Sequence, residues 1–520
     1  MLPQKKAVSL LIASFMAALL LALAACSTQP TLNNDSLVTS LNPQDSTTLD
    51  RYTNQLPTDT AVIVWSAQKK TLVVALKLTG LTPNSRHPAH IHKGDCTSNG
   101  PILFPLNDVV ADKNGNALTI TTIPNEPTSI PATGWYINVH HGPTLATPAE
   151  MTPIFCGNIV NTHPAAQQIQ TVLVALHPLF VNRFPTVSEV SSTVPANGDV
   201  NPYGVAVVQQ SVGDLVKGNI LVSNFNNKAN QQGTGTTIDQ IAPDGTLKLF
   251  AQLPATACPD GIGLTTALVE LKRGWVIVGS LPAANGMAAN AKAGCLIVLD
   301  SNGKVAQTFR GGLINGPWDA IASENEDGSQ AALFVTNLLN GTVAANGNTV
   351  NNGTVVRFNL NVPHQWADGQ ISMTSATIIA TGFAEKTDPN ALVVGPTGVG
   401  LGRNGVLYVA DTLNSRIIAI PDARTRRDTI DANKHVFSKG VALDAPLGLT
   451  IAPTGDILTV NANNGNIVEI ALDGSQVATK QLSNMGTPPG AGCLFGLATV
   501  PNNAGVYFVD DCTNQLNILH

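Results

Sequence analysis

Half of the ten histidines in this 520-residue chain fall between positions 87 and 141. Two stand in His90-Ile91-His92, and another two in His140-His141. In an extended strand successive side chains point to opposite faces, so His90 and His92 share a face that only one of the later pair can join. Imidazoles presented together by adjacent strands are ligands for copper or zinc. His90, His92 and His140 are therefore the candidate metal site, and His87 and His141 are candidates for a further ligand. The isolated His163, His177, His364 and His435 read as surface or internally satisfied residues.

Such a trio needs strands to hold it. From about 60 to 160 the chain runs in short alternating segments, among them 61–65, 71–78 and 135–140, with turn residues such as Asn114-Gly115-Asn116 between them. Several short strands in so few residues predict a small β-sandwich. Two resemblances sharpen this. The run from His90 through Lys93-Gly94-Asp95-Cys96 to Asn99-Gly100-Pro101 resembles the copper-site strand and disulfide loop of copper–zinc superoxide dismutases, and Phe155-Cys156-Gly157-Asn158-Ile159 resembles their partner-cysteine strand. The same His-Ile-His and Asn-Gly-Pro elements, with Tyr136-Ile137-Asn138-Val139-His140, resemble the chordin-type CHRD domain. The resemblance implies that His90, His92 and His140 take the places of copper ligands, with Cys96–Cys156 pinning the loop. Ile102 stands where a dismutase has its metal-bridging histidine, and no stretch rich in His and Asp follows, so no zinc subsite is expected. Met151 to Phe155 brings no arginine beside Cys156 to guide an anion. A copper-binding module is thus the leading expectation, with superoxide chemistry as the alternative.

Composition sets the wider frame. Only 12% of residues are charged, and Val, Thr, Asn and Gly are abundant, which favours strands and turns over helices. An apolar fraction of 43% excludes a disordered chain, and a net charge of -6 without any basic run excludes a nucleic-acid partner on electrostatic grounds. Lys5 and Lys6 precede the uncharged run 7–25, and Leu23-Ala24-Ala25-Cys26 resembles the lipobox of bacterial lipoproteins. This implies a signal peptide over 1–25, lipid on Cys26 and a polar tether over 26–59. The lipid would attach the chain to a membrane of the cell envelope, the outer one where two exist. The other six cysteines cluster in sequence as Cys96 with Cys156, Cys258 with Cys295, and Cys493 with Cys512. An oxidising compartment makes these disulfides.

Beyond residue 201 the sequence repeats with a period of about 50 residues. Units open at Pro202-Tyr203-Gly204, Pro259-Asp260-Gly261, Pro317-Trp318-Asp319, Pro396-Thr397-Gly398, Pro446-Leu447-Gly448 and Leu494-Phe495-Gly496. Each runs into an apolar strand, a turn and a second strand with a polar end. One longer step is filled by 340–353 and 362–371. The pattern resembles NHL repeats, most plainly at Gly405 to Ile417, and implies a β-propeller. The last unit lacks a fourth strand and an orphan β-like run lies at 184–194, so this run is expected to pair with 515–519 and close the ring. By the repeat register Tyr203, Asp260, Trp318, Asp319, Thr397, Leu447 and Phe495 begin the innermost strands at the channel. The Glu/Asn/Asp cluster of gluconolactonase-like propellers and the His/Glu pair of streptogramin-lyase-like ones are not evident. A binding platform for a small molecule, glycan or protein is expected there, with a lactonase- or lyase-type hydrolase as the alternative. The whole reads as all-β: a small Greek-key β-sandwich over 60–160, a linker with the closing strand over 161–200, and a six-bladed β-propeller over 201–520.

Overall fold

Short strands, some alternating and some apolar throughout, make up the computed structural model, which describes residues 34–40, 42–43, 59–66, 71–98, 100–124, 130–131, 133–159, 179–389 and 391–520. Eleven strands build the first unit: β1 (Asn34–Ser40), β2 (Asn42–Pro43), β3 (Thr60–Ser66), β4 (Thr71–Leu78), β5 (Arg86–His87), β6 (Ala89–Lys93), β7 (Ile102–Pro105), β8 (Val109–Val110), β9 (Ala117–Pro124), β10 (Trp135–His140) and β11 (Pro153–Ile159). They form a Greek-key sandwich of two sheets, β1-β3-β4-β9 and β2-β11-β10-β6-β7, with the small pair β5-β8 at one end. Leu72, Val74 and Leu76 from one sheet meet Ile91, Ile137 and Val139 from the other in a dry core. The stretch read as a tether is corrected in part. Residues 34–40 pair along β3 from Ser66 to Thr60, where Leu37 and Val38 provide only a short apolar stretch among polar neighbours. The signal segment and Cys26 lie outside the described residues.

Six sheets follow, each built on an antiparallel run of four strands or more, with the short strand Ile430–Asp431 added in parallel to the third. Blade 1 spans Val200–Val207, Ile220–Asn226, Thr237–Ile241 and Leu247–Gln252. Blade 2 spans Leu268–Glu270, Val276–Ser280, Cys295–Leu299 and Val305–Arg310. Blade 3 spans Pro317–Glu324, Gln330–Asn337, Val350–Asn361 and Ser372–Asp388, with Leu392–Val394 at its edge. Much of the long repeat step is therefore strand, because 350–361 and 372–388 extend the sheet. Blade 4 spans Pro396–Leu401, Leu407–Asp411, Arg416–Ile420 and Val436–Lys439, and blade 5 spans Pro446–Ile451, Ile457–Asn461, Asn466–Ile470 and Gln476–Gln481. Blade 6 takes Leu494–Thr499, Val506–Asp510 and Gln515–Leu519 from the end of the repeat region and Val187–Ser192 from before its start, the last two antiparallel with Val187 opposite Leu519.

The innermost strands touch in chain order, and the sixth touches the first, so the ring is closed. In five blades the innermost strand carries one extra residue against its neighbour, as between Pro202 and Val205 or Pro396 and Val399. This bulge turns the strand start inward. Neighbouring innermost strands then run so close that a Cβ at Gly496 would lie 1.9 Å from the Tyr203 carbonyl oxygen. All three cysteine pairs are disulfides: Cys96–Cys156, Cys258–Cys295 and Cys493–Cys512. The outer face of β4 and β9 packs on blades 4 and 5, where Ala75 and Ile120 join Val406, Tyr408 and Ile457. Thr122 Oγ1 donates to the Leu472 carbonyl at 2.9 Å, and Asn404 Nδ2 donates to the Thr122 carbonyl at 2.9 Å. Among the described residues no helix is long and apolar enough to cross a membrane.

Candidate metal centre

Strands β6 and β10 run antiparallel with His90 opposite Asn138 and His92 opposite Tyr136. Ala89, Ile91, Ile137 and Val139 fill the sandwich core, so alternation sends His90, His92 and His140 to the other face of the sheet. There the three rings are buried at 8–9% exposure, and one ligand nitrogen from each lies within 4.8 Å of the other two. The second nitrogens explain how the rings are aimed. His92 Nδ1 donates to the Gly100 carbonyl at 2.9 Å, and His140 Nδ1 donates to the Met151 carbonyl at 2.6 Å. A carbonyl only accepts, so each Nδ1 carries the proton and each Nε2 keeps a free lone pair. His90 Nδ1, His92 Nε2 and His140 Nε2 are all buried without a hydrogen-bond partner. Three such orphans in one place are rare in a folded protein.

Electrostatics favour the neutral, ligating form. Burial pushes His90 down to about 4, with the neighbouring His140 and His92 rings adding to the effect. Burial also lowers His140, against the opposing pull of its bond to Met151. The loop 94–101 acts as a wall. Tyr136 stacks on His92 with ring centroids 5.0 Å apart, donates to the Ser98 carbonyl at 2.7 Å and accepts from the Gly100 amide at 3.1 Å. A Cβ at Gly100 would lie 1.6 Å from the Lys93 carbonyl oxygen, so the loop can close on the strand only with glycine there. The Cys96–Cys156 bridge ties this loop to β11.

The further ligands expected from sequence are not brought in. His87 Nδ1 donates to the carbonyls of His140 and His141 at 3.0 and 2.8 Å, and its Nε2 is hydrogen-bonded to Ser85 Oγ at 2.7 Å. Both nitrogens are used, and His87 braces the end of β10. His141 is exposed in the bend just past β10 and is not among the converging histidines. Cys493, Asp510 and Cys512 also approach one another, but both sulfurs are in a disulfide.

In the propeller, Tyr203 and Asp319 line a cavity of about 450 Å³ in the central channel. Tyr203, Trp318 and Phe495 plug one end of it: Trp318 Nε1 donates to Tyr203 Oη at 2.7 Å, and the Tyr203 and Phe495 ring centroids are 5.2 Å apart. Thr397 is buried, with its hydroxyl 2.7 Å from that of Thr412. Leu447 is likewise buried at this level. Asp260 is a correction. It is exposed in the loop before blade 2, because Pro259-Asp260-Gly261 mimics an opening that blade 2 makes without proline. Leu268 pairs with Val278 as Val205 pairs with Val222, which puts Thr266 at the level of Tyr203. Glu270, Glu324 and Arg424 also line the channel and were not singled out from sequence. Counting back from the second strand of blade 2, not forward from its proline, is the signal that finds Thr266 and Glu270.

No curated protein matches this sequence. Among solved structures the chain is similar to a gluconolactonase from Xanthomonas campestris, with 13% identity, a TM-score of 0.42, and 66% of this chain and 92% of that chain covered. It is similar to a streptogramin B lyase at 15% identity and a TM-score of 0.39, over 64% of this chain and 97% of that chain. A third is a Bacteroides thetaiotaomicron protein of unknown function, at 13% identity and a TM-score of 0.38, over 95% and 98% of the two chains. Residues 38–143, which carry all three converging histidines, match the CHRD domain family.

Proposed function

We propose that this is a lipid-anchored protein of the cell envelope whose sandwich holds a copper ion on His90 Nδ1, His92 Nε2 and His140 Nε2, with the propeller as a binding platform. The observation that carries the metal reading is the convergence of three buried ring nitrogens without partners. Imidazole donors suit copper, which binds more tightly than other divalent first-row metals at such a site. A bound copper would supply a redox-active Lewis acid, while the carbonyls of Gly100 and Met151 hold the proton on the far nitrogen of two rings. Three disulfides support an oxidising compartment, and the motif ending at Cys26 supports the anchor.

Metal analysis of the purified chain tests the first half. The expected result is close to one copper per chain at sub-micromolar free metal, lost in both His90→Ala and His140→Ala. Retention of copper in both variants, or none in the parent, would overturn it. The anchor is tested by Cys26→Ser, which should move the protein from the detergent phase to the aqueous phase on phase separation. An unchanged partition would count against it.

A further inference from the structure

The propeller channel holds charged groups that the metal centre does not use. One residue before the end of the inward bulge stands Gly204, Gly398, Gly448 or Gly496 in four blades and Asp319 in the third, while Ala267 takes the matching position in the second. Asp319 Oδ1 accepts from the Ala320 amide at 2.8 Å and Oδ2 from the Val399 amide of the next blade at 3.1 Å. A carboxylate offers about four acceptor sites, so two remain toward the channel. Nearer the open end, Glu270 is only 5% exposed. Its Oε2 accepts from the Gln209 amide at 3.3 Å, whereas Oε1 has no partner, and the residue lines the cavity. Glu324 stands beside it on blade 3, with Arg424 as the one guanidinium among the lining residues. Three carboxyl groups and one guanidinium thus line the channel.

Their spacing selects the kind of ligand. Asp319 is level with Ala267, three residues before Glu270, so the two backbone positions are about 10 Å apart along the channel. Among the described residues no three channel acids lie all within 4.8 Å of one another, as a metal ion held by three of them would need. Two separated carboxyl groups in one tube match two separated ammonium groups on a flexible chain. We propose that the channel binds a linear aliphatic diamine, with one ammonium group on Asp319 and the other on the free oxygen of Glu270. The carbon chain between them would lie along the small residues of the inner strands. Burial raises Glu270 to about 8 and Asp319 to about 7, so an arriving ammonium would restore their charge and release protons near neutral pH.

This goes beyond the metal reading and can fail independently of it. Calorimetric titration of the purified chain with cadaverine is expected to show saturable one-to-one binding with proton release, read as a dependence on buffer ionisation heat. n-Pentylamine should bind at least tenfold more weakly. Glu270→Gln and Asp319→Asn should each weaken cadaverine at least tenfold, while His90→Ala leaves it unchanged. A thermal melt of each variant reports whether it has folded. The proposal is overturned if cadaverine does not saturate the chain at millimolar concentration, if the monoamine binds equally well, or if folded Glu270→Gln binds like the parent.

Discussion

Tyr136 shows how one side chain can order the histidine trio without joining it. Its ring backs His92, and its hydroxyl bonds to Ser98 and Gly100, whose own carbonyl orients His92. Tyr136→Phe keeps the stack and removes both bonds. The expected cost is about 1–2 kcal/mol of stability and roughly tenfold in copper affinity. Competition against a chromophoric chelator measures the second; an unchanged affinity would show that the loop is positioned without Tyr136. At this scale the sequence was legible where strand alternation alone decides. The spacing of His90, His92 and His140 placed them on one face. It could not show which ring nitrogen was free, since that depends on carbonyls at 100 and 151. Nor could it show that His87 is spent on carbonyls 53 and 54 residues away.

At the scale of elements, the repeats exposed five blade openings because each carries a bulge beside a polar partner, such as Pro202 opposite Asn224. The second blade hid its opening behind a loop with the same three-residue look. Residues 34–40 were hidden for another reason: an edge strand of mostly polar residues reads like a tether, and only its pairing with β3 reveals it. The closing strand 187–192 makes a stability claim. Its side chains are mostly half-buried or exposed, so its main role is to cover the edge of 515–519. Replacing it with a Gly/Ser segment of equal length should lower the melting temperature of the propeller by roughly 5–10 °C. It should also raise light scattering as the freed edges pair between molecules. A melt and scattering curve indistinguishable from the parent would argue that the ring holds without it.

Taken whole, the molecule turns its two candidate sites apart. The sandwich docks through β4 and β9, and its histidines sit on the opposite sheet. The propeller also buries an unusual set of acids. Burial raises Asp239 and Glu270 to about 8, and Asp319, Glu385 and Asp511 to about 7. Each holds its proton more tightly when folded than when unfolded. Its stabilising contribution is complete below about pH 4 and is lost as pH rises through 7–8. Carboxylates lowered by hydrogen bonds, such as Asp95 and Asp327, act in the reverse sense and limit stability in acid. The melting temperature should therefore fall by roughly 5–10 °C between about pH 6 and pH 9, and Glu270→Gln should flatten part of that slope. A flat or rising profile in differential scanning fluorimetry would contradict this.

The sixth blade adds a constraint of timing. Because Val187–Ser192 is sealed by Gln515–Leu519, a ribosome must translate almost the entire repeat region before the early segment meets its mate. A nascent chain halted short of codon 515 leaves that early strand without its mate, however complete its sandwich already is.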